Sequence, residues 1–290
     1  MTITVPATTR MRIALRKLSV VAIRDITPAL RRITLGGAEL GAFRANGHDI
    51  EALRTGGPDD HIKLFFPDPV TGVLSLPVQR ENHIDWPRNP APISRDYTPR
   101  AFDPAAGTLD LEFVLHGHGI ASTWAAGVSL GDTAYVAGPP TTDGLPVCPR
   151  YVLIGDETAL PAIGNWLALL KDHDVTLTAL LYSRTADGEQ PLPAPPGASI
   201  TWLRQDTSRP EAMAEALAEI DLPEGTFVWA GGEREAMRAI RRQLAARGVP
   251  RPMTSVVAYW RAGLDQDQFE DEEEHEHDHD HDDHDHDHDH

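Results

Sequence analysis

The sequence predicts a two-domain protein of β plus α/β class: an antiparallel Greek-key β-barrel over residues 18–148, then a parallel-sheet α/β domain over residues 149–264. Three observations predict it. The chain has 290 residues, enough for two cores, since domains usually run to about 100–150 residues. Before Pro149 it reads as short β-rich runs separated by Pro and Gly, the pattern of a small barrel. After Pro149 continuous apolar runs alternate with helical ones, which implies a parallel sheet covered on both faces.

Residues 1–17 are expected to be an N-terminal arm. The runs LSVVAIRDI (18–26) and LRRITL (30–35) meet at Thr27-Pro28-Ala29, where proline marks a turn, so they open the barrel as an antiparallel pair. The polar stretch Gly41–Asp60 reads as an excursion over the barrel, and 77–93, rich in Pro, Asn and Trp, as a second loop. Further strands are expected at HIKLFF (61–66), around Tyr97, at LDLEFVLH (109–116) and at TAYVAGP (133–139). A glycine-flanked turn opens a short helix at 119–126. In the second domain the order is YVLIGD, a helix from about Thr158 to Lys171, TLTALLYS, ASITWLR, a helix from about Glu211 to Glu219, TFVWAGG, a helix over 233–246, and TSVVAYW. No repeat occurs at solenoid spacing.

The formal charge of −18 is unevenly spread. Residues 265–290 carry fifteen Asp/Glu and no Lys or Arg, so the remainder holds 29 acids against 26 bases, a net −3. The acidity belongs to the tail, and no nucleic-acid partner is expected. The single cysteine, Cys148, excludes an intrachain disulfide and a Cys-based zinc or iron–sulfur site, so any electron-transfer group must be a separate cofactor. No apolar run of about 18 residues and no signal peptide are seen, which points to a cytoplasmic location without membrane insertion.

Arg95-Asp96-Tyr97-Thr98 places a planar cation, an aromatic ring and a hydroxyl on one extended run. Strict alternation sets Arg95 and Tyr97 on one face and Thr98 on the other, unless the strand is distorted there. A flavin dinucleotide needs such a set: a guanidinium for pyrophosphate, a ring for the isoalloxazine and a polar group near its reactive nitrogen. An edge strand of ordinary β-formers reads the same way. In the 119–126 turn, free backbone N–H groups with Ser122 or Thr123 suit a pyrophosphate. His116 and His118, two apart, fit either a metal or acid/base pair or a His-Gly corner binding backbone or cofactor. Gly155-Asp156-Glu157-Thr158-Ala159 ends a strand and opens a helix without G-x-G-x-x-G, as either an N-capped start or a nicotinamide site. Gly231-Gly232-Glu233 repeats that geometry. Ser183-Arg184 at a strand end fits a 2′-phosphate or a solvated loop.

Taken in order, SRDYTPRAFDP, LEFVLHGHGIASTWA, GDETALPAIGNWL, FVWAGGEREAMRAIRRQL and YWRAG resemble the siderophore-interacting protein family, FAD-containing ferric-siderophore reductases with a ferredoxin-reductase-like architecture. The resemblance spans about Leu18 to Gly263. It implies an FAD-binding barrel and a nicotinamide-binding domain, with NADPH or NADH as donor and a ferric siderophore as acceptor. Arg95 would bind FAD phosphate, Tyr97 would pack on the isoalloxazine and Thr98 would lie near its N5. His116, Gly117, Ala121, Ser122, Thr123 and Trp124 would complete the phosphate site. Asp156, Glu157, Thr158 and Ala159 would lie between flavin and nicotinamide, Ser183 and Arg184 on the NADPH phosphate, Gly231 and Glu233 on the second wall, and Trp260 over the flavin. No side chain is assigned as a catalytic acid or base. Lys63, Arg100 and Arg261, with Arg54 and Arg80, are candidates for an anionic siderophore. The chain departs from the family at Ile120, where proline is usual, and at Pro140, where glycine is frequent.

Residues 275–290 alternate His with Asp or Glu. His275, His277, His279, His281, His284, His286, His288 and His290 offer imidazoles beside carboxylates for a divalent metal such as zinc, nickel, copper or ferrous iron. Two other readings stay open: a reductase of free flavin or of another redox centre on the same fold, and a metal-trafficking protein working through this tail.

Overall fold

The computed structural model describes residue 4 and residues 7–81 and 83–263. The tail histidines lie outside the described residues.

The first domain is a barrel of strands β1 (Leu15–Thr27), β2 (Leu30–Gly36), β3 (Ile62–Phe66), β4 (Ile93–Tyr97), β5 (Pro99–Asp103), β6 (Thr108–Val114) and β7 (Thr133–Ala137). They are antiparallel, in the order β5-β6-β2-β1-β7-β3-β4. The two outer members are successive pieces of one chain segment, separated only by Thr98. The first piece pairs with β3 and the second with β6, so a single bent strand closes the sheet on itself. Inside, Leu18, Ile33, Leu35, Ile62, Leu64, Leu109, Leu111, Phe113 and Val136 form one apolar core, each contributed by strand alternation. The helix α1 (Ile120–Gly127) adds Ala121 and Ala125 to that core.

The expected 1–17 arm is shorter, because β1 reaches back to Leu15. Arg16 and Lys17 conceal this start in the sequence. Arg16 nevertheless turns inward at 3% exposure, where its guanidinium donates to the carbonyls of Glu39, Gly41 and Glu51 and lies 5.3 Å over the Phe43 ring. Those bonds hold the 41–60 excursion against the barrel. Burial lowers the Arg16 pKa to about 10.

The second domain is a five-stranded parallel sheet of β8 (Arg150–Gly155), β9 (Thr176–Ser183), β10 (Ser199–Arg204), β11 (Thr226–Glu233) and β12 (Thr254–Trp260), in the order β10-β9-β8-β11-β12. Helix α2 (Leu160–Leu170) covers one face, with Ile163, Trp166 and Leu167 packed on Tyr151, Leu153, Leu181 and Trp229. Helices α3 (Ala212–Ala218) and α4 (Arg234–Ala246) cover the other, with Leu217, Met237 and Ile240 on Val152, Ile154 and Val228. Alternate strand residues thus feed two cores, which explains their uninterrupted apolar runs.

The barrel docks on the α2 face. Asn165 of α2 donates to the carbonyls of Pro58 (3.0 Å) and Pro99 (2.8 Å), and Trp229 Nε1 donates to Asp59 Oδ2 at 2.8 Å. Burial raises the Asp59 carboxyl pKa.

Candidate functional site

On the barrel side the site is built around the bend at Thr98. Alternation breaks there, and the pairing of β5 with β6 shifts register between Pro99 and Ala101. Tyr97 stacks on Phe113 with ring centroids 4.3 Å apart, Phe113 meets Trp124 at 5.4 Å, and Trp124 meets Phe66 at 5.8 Å. Burial raises the Tyr97 phenol pKa. Trp124, expected in the phosphate turn, therefore belongs to the aromatic stack that backs Tyr97. Thr98 is buried, and its hydroxyl acts on the phenol of Tyr259 of β12 in the other domain, easing a pKa that burial raises. Arg95 Nη1 donates to Ser94 O at 2.7 Å.

Helix α1 starts at Gly119 without a side-chain cap, and its first helical bond runs from the Thr123 amide to Gly119 O at 3.1 Å. The amides of Ile120, Ala121 and Ser122 precede the first helical donor, which makes this end suited to an anion. The buried Ser122 Oγ accepts the His116 amide at 3.1 Å and so fixes the corner through Gly117. The His116 and His118 rings lie 4.1 Å apart. Burial, then His118 and Arg184, lowers the His116 pKa and favours neutral imidazole. Among the described residues no three His, Cys, Asp or Glu side chains gather to hold an ion.

On the α/β side, connections leave β8 and β11 in opposite directions along the sheet. These adjacent strands form the crevice where such folds bind ligands. Gly155 lies opposite Gly231, with the buried Ala159 methyl packed close to both, so Ala159 fills the strand ends as a core residue. Just beyond them Asp156 is 1% exposed and accepts five hydrogen bonds. Thr158 N (2.9 Å) and Oγ1 (2.5 Å) donate to Oδ1; Trp260 Nε1 (2.8 Å), Gln205 Nε2 (3.2 Å) and Glu233 N (3.2 Å) donate to Oδ2. Burial raises the Asp156 pKa against these donors. Gly232 has φ +150°, and a Cβ there would stand 2.7 Å from Asp156 Oδ2. Glu233 caps α4 through Oε2, at 2.7 and 3.1 Å from the amides of Glu235 and Ala236, while Oε1 accepts the Ala262 amide at 3.2 Å.

Ser183 is fully buried and donates to Glu157 Oε1 at 2.8 Å, so its hydroxyl is turned from the surface where a phosphate contact was expected. Arg184 pairs with Glu157 at 2.7 Å. The siderophore candidates Arg100, Lys63, Arg54 and Arg80 each meet a different neighbour. Arg100 is corrected most: its guanidinium lies across Gly164, where a Cβ would be 2.9–3.0 Å away, and donates to Asn165 Oδ1 at 3.3 Å. It is a strut between domains. Lys63 pairs with Asp96 (3.2 Å), Arg54 with Glu51 (2.8 Å) and Arg80 with Asp85 (2.6 Å). Arg261 follows Trp260, half-buried.

Sequence reasoning missed Tyr259 and Gln205. Tyr259 shares a motif with Trp260, but only the meeting of the two domains sets it beside Thr98. Gln205 carries no local signal.

The residues present fit FAD: an aromatic platform at Tyr97, a buried hydroxyl at Thr98, a guanidinium at Arg95 and an uncapped helix start beside Ser122. The model of the siderophore-interacting FAD-binding domain matches residues 19–143, and that of the siderophore-interacting protein matches residues 148–263. The NADPH-dependent ferric-chelate reductase of Escherichia coli is 32% identical over 89% of this chain and 97% of that protein. The ferric vibriobactin reductase ViuB of Vibrio cholerae is 27% identical over 89% and 93%. A siderophore utilization protein from T. fusca superposes with a TM-score of 0.78 at 39% identity, covering 91% of this chain and 97% of that one. The ferredoxin reductase of carbazole 1,9a-dioxygenase shares the fold, with a TM-score of 0.58 at 16% identity over 86% of this chain and 70% of its own.

Proposed function

The chain belongs to the siderophore-interacting protein family, and on that premise we propose that it is an FAD-dependent oxidoreductase carrying electrons from NAD(P)H through the flavin to ferric iron in a siderophore, releasing Fe(II). One observation carries the reading. Pro99, which follows Thr98 at the bend of the closing strand, accepts a hydrogen bond from Asn165 of α2 at 2.8 Å, while Trp260 is fixed to Asp156 in the crevice of the parallel sheet. The flavin motif and the nicotinamide crevice are thereby parts of one site. The relatives named as NADPH-dependent ferric-chelate and ferric vibriobactin reductases support the donor and the acceptor.

FAD supplies the conversion between a two-electron donor and a one-electron acceptor, so no side chain need act as acid or base. The protein binds and orients. Arg95 and the α1 amides with Ser122 and Thr123 would hold the pyrophosphate, Tyr97 would support the ring system, and Thr98 would offer a hydroxyl to its reactive nitrogen. Asp156 to Thr158 and Gly231 to Glu233 would line the nicotinamide crevice, and Trp260 would cover the flavin. Hydroxamate or catecholate oxygens grip the hard ferric ion, whereas the lower charge of Fe(II) weakens that grip and favours release. Arg261 and Lys63 offer charge to an anionic siderophore. A supply of NAD(P)H places this work in the cytoplasm. The tail histidines, as neutral imidazoles, take up divalent metal weakly, less so below about pH 6.5.

The test is an absorption spectrum of the purified protein, followed by anaerobic NADPH and then a ferric siderophore. Flavin absorbance should be present, bleach with NADPH and return with the ferric complex. A colourless protein that neither binds added FAD nor supports NAD(P)H-dependent Fe(III) reduction overturns the reading. Removing residues 265–290 should leave the reductase rate unchanged.

A further inference from the structure

We infer that Glu157 is a positioning residue that sets Arg184 to receive the 2′-phosphate separating NADPH from NADH; this rests on the reading of the parallel sheet as the nicotinamide domain. Glu157 opens the turn after β8, yet its carboxylate is withdrawn from solvent, with the side chain 7% exposed. Both oxygens are committed to the end of the neighbouring strand β9. Oε1 accepts from Ser183 Oγ (2.8 Å) and the Arg184 amide (3.1 Å), and Oε2 accepts from Arg184 Nε (2.7 Å).

The loop after β9 is folded onto this carboxylate. Ser183 Oγ also reaches Thr185 O at 2.9 Å, and the Gly188 amide donates to Thr185 O at 3.2 Å. A Cβ on Gly188 would stand 2.1 Å from Ser183 Oγ and 3.1 Å from Glu157 Oε1, so closure of the loop requires glycine. A guanidinium and a carboxylate paired for mutual attraction commonly meet through two parallel bonds. Here one side-chain bond, from Nε, leaves both terminal nitrogens of Arg184 outside the pair, on a side chain that is 39% exposed. The guanidinium also acts electrostatically on His116 of the barrel, so it stands on the cleft side of the domain. The end of the second strand beside the crevice is where dinucleotide folds read the ribose. A buried carboxylate that fixes the main chain and Nε of an arginine, and leaves its fork outward, presents that fork to a doubly charged phosphate.

The test is calorimetric titration of the FAD-loaded full chain with 2′,5′-ADP and with 5′-AMP, which differ only in the 2′-phosphate. The unaltered protein should favour 2′,5′-ADP by about tenfold or more, the size expected of charge-assisted hydrogen bonds. Arg184→Ala should bring the two affinities together, and Glu157→Gln should do the same with Arg184 still present, both read as the ratio of 2′,5′-ADP to 5′-AMP affinity. If Arg184→Ala keeps the preference, Arg184 is not the phosphate ligand, and the reading of this strand end fails with the proposal. If Arg184→Ala loses it and Glu157→Gln keeps it, that reading stands and the role given to Glu157 is wrong. Should Glu157→Gln not fold, Ser183→Ala removes one loop anchor, a hydrogen bond to a charged carboxylate, and should cut the preference by about threefold or more; an undiminished preference there also overturns the proposal.

Discussion

Arg95 and Thr98 sit three positions apart on one segment but answer to different neighbours. Arg95 lies opposite Leu64 in the barrel, whereas Thr98 reaches Tyr259 across the domain seam. Removing the Arg95 guanidinium should therefore affect FAD retention without loosening the seam. Arg95→Ala should weaken FAD binding by about tenfold to a hundredfold, the range for a charge-assisted hydrogen bond, read as flavin absorbance retained through gel filtration. At this scale the sequence disclosed residue types and withheld partners. Arg95, Tyr97 and Thr98 can be put forward from the sequence because the chemistry they offer is local to four positions. Ser183 and Arg100 looked like surface contacts, yet one faces Glu157 inside the domain and the other lies under α2. A burial direction set by residues far along the chain leaves no trace in the local pattern.

Among the elements, the strands of the second domain were the easiest to read, because burial on both faces leaves unbroken apolar runs such as TLTALLYS and TFVWAGG. The barrel strands were harder. β1 opens Leu15-Arg16-Lys17, whose two cations conceal its start, and the segment around Tyr97 proved to be two strands meeting at a bend. The turn that ends β11 carries its own constraint. At Gly232 the backbone takes φ +150° and passes so close to Asp156 that a side chain has no space. Gly232→Ala should cost about 1–3 kcal/mol through backbone strain, measured as a lowered Tm, and should weaken the hold of Asp156 on Trp260. Tryptophan fluorescence would report the second effect.

For the whole molecule, the two domains are joined by buried polar bonds as well as apolar packing, and Asp59 is one of them. Burial holds its carboxyl pKa above the ordinary 3.8, so between those two values the folded chain binds more protons than the unfolded one. Stability attributable to Asp59 must then fall as pH rises through that window. Asp59→Asn should flatten part of the decline, seen in Tm measured from pH 4 upward; Asp156, raised for the same reason, should retain the remainder. Domain order was legible from the change of pattern at Pro149. How the domains meet was not, since Asn165, Trp229 and Tyr259 lie within runs that read simply as helix or strand.

The bend at Thr98 has a bearing on behaviour in concentrated solution. Since one strand supplies both margins of the seven-stranded barrel sheet, each of those margins offers a stray chain a row of only five residues. Longer margins stand in the parallel sheet, along β10 and β12. β12 leads within a few residues to a stretch bearing fifteen carboxylates, whose like charge opposes the approach of a second copy at neutral pH. The same bend that brings the flavin motif to the domain seam thus leaves the barrel only short templates for strand-to-strand aggregation.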